Sequence, residues 1–130
     1  MKLELIETNA ILKLTIDFSL EVIKYCEKLE SEKKYILARQ LLRSGTSIGA
    51  NSFEAQNCES KADFIHKFKI AAKEVNETQY WLLICKRSEY YPGCDELLKK
   101  LEEVDKVINK IISTAKKKKP FAYLLTIFMF

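Results

Sequence analysis

Turn-forming residues are scarce, with three glycines and two prolines in 130 residues. An all-β sandwich needs a turn about every 8–12 residues. This chain cannot supply them, and long helices with few turns are the default. Histidine is scarcer still, since His66 stands alone. The four cysteines, Cys26, Cys58, Cys85 and Cys94, have no Cys-x-x-Cys spacing, and with one histidine they make no zinc pattern. They read as reduced, mostly buried thiols of a cytoplasmic protein. No uncharged apolar run reaches the roughly 20 residues of a membrane-spanning helix. The N-terminus lacks the basic, apolar and small-residue order of a secretory signal. The body of the chain also lacks any charge excess. The net charge is +4, and the four lysines Lys116–Lys119 account for it. A strongly basic nucleic-acid binder would spread such charge over a face.

What is present is apolar and periodic. A chain that is 48% hydrophobic and 31% charged is not intrinsically disordered. At 130 residues it forms one domain that buries roughly two-thirds of its unfolded-chain surface without metals or disulfides. Four segments repeat apolar residues at steps of three and four. The first carries Ile11, Leu14, Phe18, Val22, Cys26 and Leu29. After the polar break at Ser31–Lys34, the second runs from about Lys33 to Cys58 with Leu37, Leu41, Ile48, Ser52 and Ala55 on one face. The third follows Ser60, a good N-cap with Asp63 three residues on. Its stripe is Phe64, Phe68, Ala71, Val75, Thr78, Leu82 and Cys85. Beyond the Tyr91-Pro92-Gly93 turn, the fourth is the most regular, with Leu97, Leu101, Val104, Ile108, Ile111 and Ala115. Connections of a few residues make sequential helices antiparallel neighbours. The expected fold is all-α, an up-down-up-down four-helix bundle over residues 1–119. Residues 120–130, PFAYLLTIFMF, form a short apolar C-terminal tail behind the lysine run. The tail is too short to span a bilayer as a helix. Docking on the bundle or on a neighbouring subunit is favoured over contact with an anionic membrane surface.

Catalytic chemistry finds no footing. His66 falls on the solvent side of its helix. Glu74 and Glu77 are three residues apart, but a di-iron bundle needs Glu-x-x-His pairs and the chain has none. Gly45 and Gly49 lack the spacing of a phosphate loop. The expectation is no enzyme, no catalytic residue, no metal, no cofactor and no small-molecule substrate.

The segment Arg43-Ser44-Gly45-Thr46-Ser47-Ile48-Gly49-Ala50-Asn51-Ser52 is unusual inside a helical pattern. Each glycine there costs roughly 1 kcal/mol relative to alanine. Gly45, Gly49, Ser52 and Gln56 share one stripe. Either a neighbouring backbone comes close to it, or the helix is kinked there. This stretch, RSGTSIGANSFEAQ, followed by KADFIHKFKIAAKEVNETQYWL, resembles the bacterial four helix bundle protein family. That family includes proteins encoded by intervening sequences in large-subunit ribosomal RNA genes and the accessory protein of diversity-generating retroelements. The resemblance covers about residues 8–115, and the family pattern of a serine-rich segment followed by Asn and Glu falls on Ser47, Asn51 and Glu54. It implies a helical bundle that assembles as a homo-oligomeric ring, often a pentamer. In the retroelement branch it also implies a ring that binds nucleic acid and a reverse transcriptase through basic surfaces. The tail after Pro120 has no counterpart in the family pattern.

The residues themselves offer partial support. Ile70 and Trp81 share a face of the third segment away from its core stripe. That face is either a contact between protomers or a cover over the bundle edge. Arg39 and Arg43, Lys69 and Lys73, and Lys116, Lys117, Lys118 and Lys119 are the cations available to RNA or DNA, although a solvated helix face explains each of them too. A ring would repeat each patch and multiply a weak phosphate attraction. The leading expectation is a non-enzymatic, oligomeric nucleic-acid-binding or accessory protein. The alternative is an interaction module that binds only protein.

Overall fold

In the computed structural model, which describes Ile6 and residues 8–117, four long helices make up most of the described residues. They are α1 (Ala10–Ser31), α2 (Tyr35–Ala55), α3 (Lys61–Arg87) and α4 (Asp95–Lys116). Each packs on its neighbours in sequence, and α4 returns to α1 to close an all-α antiparallel four-helix bundle. Among the described residues no helix is long and apolar enough to cross a membrane. Lys118, Lys119 and the tail 120–130 lie outside the described residues, as does the division at residue 119.

The stripes expected on α3 and α4 are buried at every position, from Phe64 to Cys85 and from Leu97 to Ala115. Two corrections fall on α1 and α2. Leu14 and Leu37 are half-buried rather than core residues. Leu12, Thr15 and Tyr25 on α1, and Ala38 and Ser44 on α2, are buried although the expected stripes omitted them. Small or polar residues, Thr15, Ala38 and Ser44 among them, fill part of the buried arc of these two helices and do not stand out in an apolar stripe. The second helix is also shorter than the segment from Lys33 to Cys58.

Local chemistry sets the ends. Asn9 caps α1 by accepting from Leu12 N at 3.3 Å, and its Nδ2 donates to Gln56 Oε1 at 3.2 Å, which ties the start of α1 to the end of α2. Ser60 caps α3 as expected, accepting from Asp63 N at 3.1 Å. α1 stops in a Schellman motif, with Lys34 N donating to Leu29 O at 2.8 Å and Lys33 N to Glu30 O at 2.9 Å. Lys33 takes the left-handed position of that motif, with φ 64°. At the same end of the bundle the loop between α3 and α4 is fastened twice. Tyr25 Oη donates to Pro92 O at 2.7 Å, and the Cys94 thiol donates to Leu82 O at 3.3 Å.

The glycine question resolves in favour of close approach, because α2 runs without interruption past both glycines. A Cβ on Gly45 would meet Val22 Cγ1 at 2.9 Å, and one on Gly49 would meet Thr15 Cβ at 3.1 Å. The first contact is closer than side chains accept and the second is tighter than most, so α1 makes its close approach to α2 over these two glycines. The hydroxyls of the same segment fold back onto α2. Ser47 donates to Arg43 O at 2.6 Å, Thr46 to Leu42 O at 2.7 Å and Ser52 to Ile48 O at 2.9 Å. Their polar groups are thereby satisfied within the helix.

Candidate nucleic-acid interface

The seam between α2 and α3 is built differently from the seam between α1 and α2. Inside it the hydroxyls of Ser44 and Thr78, both fully buried, lie 2.9 Å apart, and Thr78 also donates to Glu74 O at 2.7 Å. At its outer edge the Arg43 guanidinium reaches across to two carboxylates. Nη1 lies 3.4 Å from Glu74 Oε1, and Nη2 pairs with Glu77 Oε2. Glu77 Oε2 also accepts from the Trp81 indole N–H at 3.2 Å. The indole N–H and Arg43 together hold the Glu77 carboxyl below its ordinary range, and Glu77 in turn raises the Arg43 guanidinium. About three helical turns further along, Lys67 Nζ pairs with Glu54 Oε2 at 3.0 Å.

These pairs engage the acidic groups along the α2 edge of α3, where one guanidinium meets two carboxylates. From His66 to Arg87 the exposed residues of α3 are His66, Lys69, Lys73, Asn76, Gln79, Tyr80, Leu83, Lys86 and Arg87, with no carboxylate among them. Glu74 and Glu77 are half-buried and engaged by Arg43. Lys86 is paired with Asp95 at 3.1 Å. Lys69, Lys73 and Arg87 remain, with Tyr80 midway between Lys73 and Arg87 at seven residues from each. Seven residues are about two helical turns, so all three lie on one face about 10 Å apart along the axis. From His66 to Arg87 the surface runs about 30 Å.

The cross-helix pairs also fix register. Arg43 opposite Glu77 and Glu54 opposite Lys67 place the exposed Arg39 level with Tyr80 and Trp81. Lys86 opposite Asp95 places Lys116, which is exposed together with Lys117, level with the start of α3. Of the expected cations, Arg39, Lys69, Lys73, Lys116 and Lys117 are therefore exposed. Arg43 is spent on Glu74 and Glu77 and supports the surface rather than offering charge to it. Lys118 and Lys119 fall outside the described residues.

The expected packing motif divides between two seams. Gly45 and Gly49 face α1, and Ser52 is buried. Asn51 is half-buried and donates to Ser47 O at 2.8 Å, while Glu54 is exposed and holds Lys67. The expected contact pair, Ile70 and Trp81, is half-buried, with Trp81 packed against the core and its N–H donated to Glu77. The larger exposed apolar surface lies elsewhere, on Ile16, Leu20 and Ile23 of α1. It borders a shallow groove of about 200 Å³ lined by Thr15, Ser19, Gly49, Ala50 and Phe53.

Sequence reasoning missed Ser44, Glu77 and Tyr80. The first two act through partners 34 residues away, a separation that no local spacing signals. The seven-residue spacing of Lys73, Tyr80 and Arg87 was a usable signal. Among the described residues no group of three His, Cys, Asp or Glu could hold a metal. The four cysteines are free, and burial pushes the Cys26 and Cys58 thiols up to about 12 and about 11, far from a reactive thiolate.

With this geometry in view, residues 7–110 match the family model described as 23S rRNA-intervening sequence protein. The chain belongs to that family. The family fold is also seen in the crystal structure of a protein of unknown function from the S23 ribosomal protein family of Bacteroides thetaiotaomicron. It is 38% identical and superposes with a TM-score of 0.75, over 78% of this chain and 97% of that one. No curated protein matches the chain significantly.

Proposed function

We propose that this member of the intervening-sequence family is a non-enzymatic, oligomeric accessory protein of the cytoplasm that binds RNA or DNA through the outer face of α3. One observation carries the reading. The outer face of α3 from His66 onward presents Lys69, Lys73 and Arg87, while its nearest carboxylates, Glu74 and Glu77, lie at the α2 edge engaged by Arg43, Glu77 also by Trp81. Such a surface attracts phosphate without reading bases, so contact is mostly with the backbone and weakly sequence-specific. It serves equally whether the nucleic acid is a ribosomal RNA or arrives with a reverse transcriptase. Self-association belongs to the same reading and is supported by the exposed apolar stripe Ile16, Leu20 and Ile23. A multimer would present the α3 face several times, so that a weak patch gains by avidity.

Fluorescence anisotropy with labelled RNA and DNA at two salt concentrations tests the binding. Affinity is expected to fall with salt at a log–log slope of roughly −0.7 to −0.9 per phosphate neutralised, and Lys69→Gln with Lys73→Gln should flatten it. Light scattering should give a multiple of 15.1 kDa. Absence of binding at low salt would favour the second reading, a module that binds only protein through the α1 stripe.

A further inference from the structure

On the footing of that reading, we infer that Tyr80 is a stacking platform for an unpaired base, and that the nucleic acid bound along α3 is single-stranded. The Tyr80 ring is 59% exposed, although it lies in a chain of contacts that reaches the bundle. Its centroid is 5.1 Å from that of Trp81 in an edge-on arrangement with an interplanar angle of 68°. Trp81 packs against the core and is fixed by its hydrogen bond to Glu77, which Arg43 fixes in turn. Tyr80 is thus held from one side by a residue that is itself held, and much of its surface is left to solvent.

Placement adds a second argument. Lys73 and Arg87 lie about two turns to either side of Tyr80 on the same face, and Arg39 is level with it on α2. A base seated on the ring would have its flanking phosphates within reach of cations in three directions. The α4 side is less favourable to phosphate, because in the groove there Lys86 is paired with Asp95, and Glu102 and Asp105 face the one further cation, Lys99. The strand is thereby directed over α3 towards α2. This arrangement of an aromatic platform among cations is the one by which single strands are held without sequence preference. A paired base keeps its faces inside the duplex stack and cannot use Tyr80.

The test compares a labelled 20-mer of single-stranded uridylate or thymidylate with a duplex of the same length, using the intact chain and its Tyr80→Ala and Tyr80→Phe variants. Circular dichroism melts confirm that each variant is folded. Tyr80→Ala should weaken single-strand binding about 5- to 150-fold, the usual range for removing one stacked base. It should leave duplex binding within about two-fold, and Tyr80→Phe should retain single-strand affinity, since the ring and not the hydroxyl is used. Trp81, the chain's one tryptophan, is in contact with Tyr80 and should change its fluorescence on binding the single strand but not the duplex. If Tyr80→Ala binds the single strand as the unmodified chain does, while Lys69→Gln with Lys73→Gln weakens it, the platform is overturned and the phosphate-binding reading survives. If the unmodified chain binds neither probe at low salt, both fall.

Discussion

α2 is in contact with two neighbours, and the two seams solve the packing problem by opposite means. Towards α1 it presents glycine, and the fit is steric, with Val22 and Thr15 occupying the space that a Cβ on Gly45 or Gly49 would need. Towards α3 it presents Ser44, Arg43 and Glu54, and the fit is polar, through a buried hydroxyl pair and two charged contacts. The steric seam depends mainly on shape, with one polar tie from Asn9 to Gln56, and accepts added volume only where α1 gives way. The polar seam depends on partners and tolerates loss of both better than loss of one. The polar seam is also the one that continues outward, through Arg43, Glu77 and Trp81, to the exposed face of α3. Stability and the candidate function are therefore separable, which a series of substitutions can show.

The largest effect is expected at the steric seam. Gly45→Leu adds bulk where even a Cβ would lie 2.9 Å from a stiff, β-branched valine. Overpacking costs about 1–3 kcal/mol, and relief of the glycine helix penalty returns at most about 1 kcal/mol. A net loss of about 2 kcal/mol should lower the melting temperature by several degrees. Gly49→Leu should follow with a somewhat smaller loss, since its nearest contact is 3.1 Å. A neutral result at both positions would show that α1 can move away, and the contrast between the seams would collapse.

The polar seam should give a smaller loss with a distinctive coupling. Thr78→Val removes the hydroxyl facing Ser44, whose own remaining acceptor, Leu41 O, is distant at 3.5 Å. About 1–2 kcal/mol should be lost in urea unfolding. Ser44→Ala combined with Thr78→Val should recover most of it, because no buried hydroxyl is then left without a partner. Additive losses would mean that the pair contributes volume rather than hydrogen bonding.

At the edge of the same seam the effect should be smaller and pH-dependent. Arg43 has half its side chain exposed, so Arg43→Met should cost under about 1 kcal/mol, and less at high salt. Glu77 is held below its ordinary value of 4.5, first by the Trp81 N–H and then by Arg43. A carboxylate with a depressed folded-state pKa stabilises fully above its unfolded value. That contribution is lost as the pH falls below about 4.5 and through the lower folded value. Acid unfolding curves should therefore show a weaker pH dependence in Arg43→Met, and a weaker one still in Trp81→Phe, where the larger cause is removed. If Arg43→Met abolished the dependence and Trp81→Phe left it intact, the order of the two contributions would be reversed.

How much of this the sequence carries follows from the same division. The stripes of α3 and α4 are legible in full because each is a regular three-four repeat bounded by a recognisable signal, Ser60 for one and Pro92-Gly93 for the other. The oddity of Gly45 and Gly49 is legible too, but not its cause, since a kink and a close neighbour require the same residue and only Val22 and Thr15 decide between them. The wider buried arc of α1 is hidden because Thr15 and Tyr25 do not read as core residues. Thr15 satisfies its hydroxyl on Ile11 O, and Tyr25 places its hydroxyl on Pro92 O, 67 positions away. The candidate face suffers most. Arg43 reads as a free cation until the fold brings Glu74 and Glu77 to it, and Tyr80 reads as an ordinary exposed aromatic until Trp81 is seen to hold it.

The smallest effect sharpens the comparison furthest. Glu54 and Lys67 join α2 to α3 at 3.0 Å, much as Arg43 and Glu77 do, but Glu54 is 60% exposed and Glu54 has no second donor comparable to the Trp81 N–H. A single exposed pair of this kind gains little over hydration and is screened by salt. Glu54→Gln is therefore expected to leave the thermal midpoint unchanged within measurement. It should free Lys67, which lies at the α2 seam and not on the Lys69 face, and remove one negative charge, so nucleic-acid affinity should rise only slightly at low salt and not at high salt. A marked loss of stability would show that the polar seam is held by its surface charges. The buried Ser44–Thr78 pair would then be the minor contact, and the Thr78→Val result would have to be read again in that light.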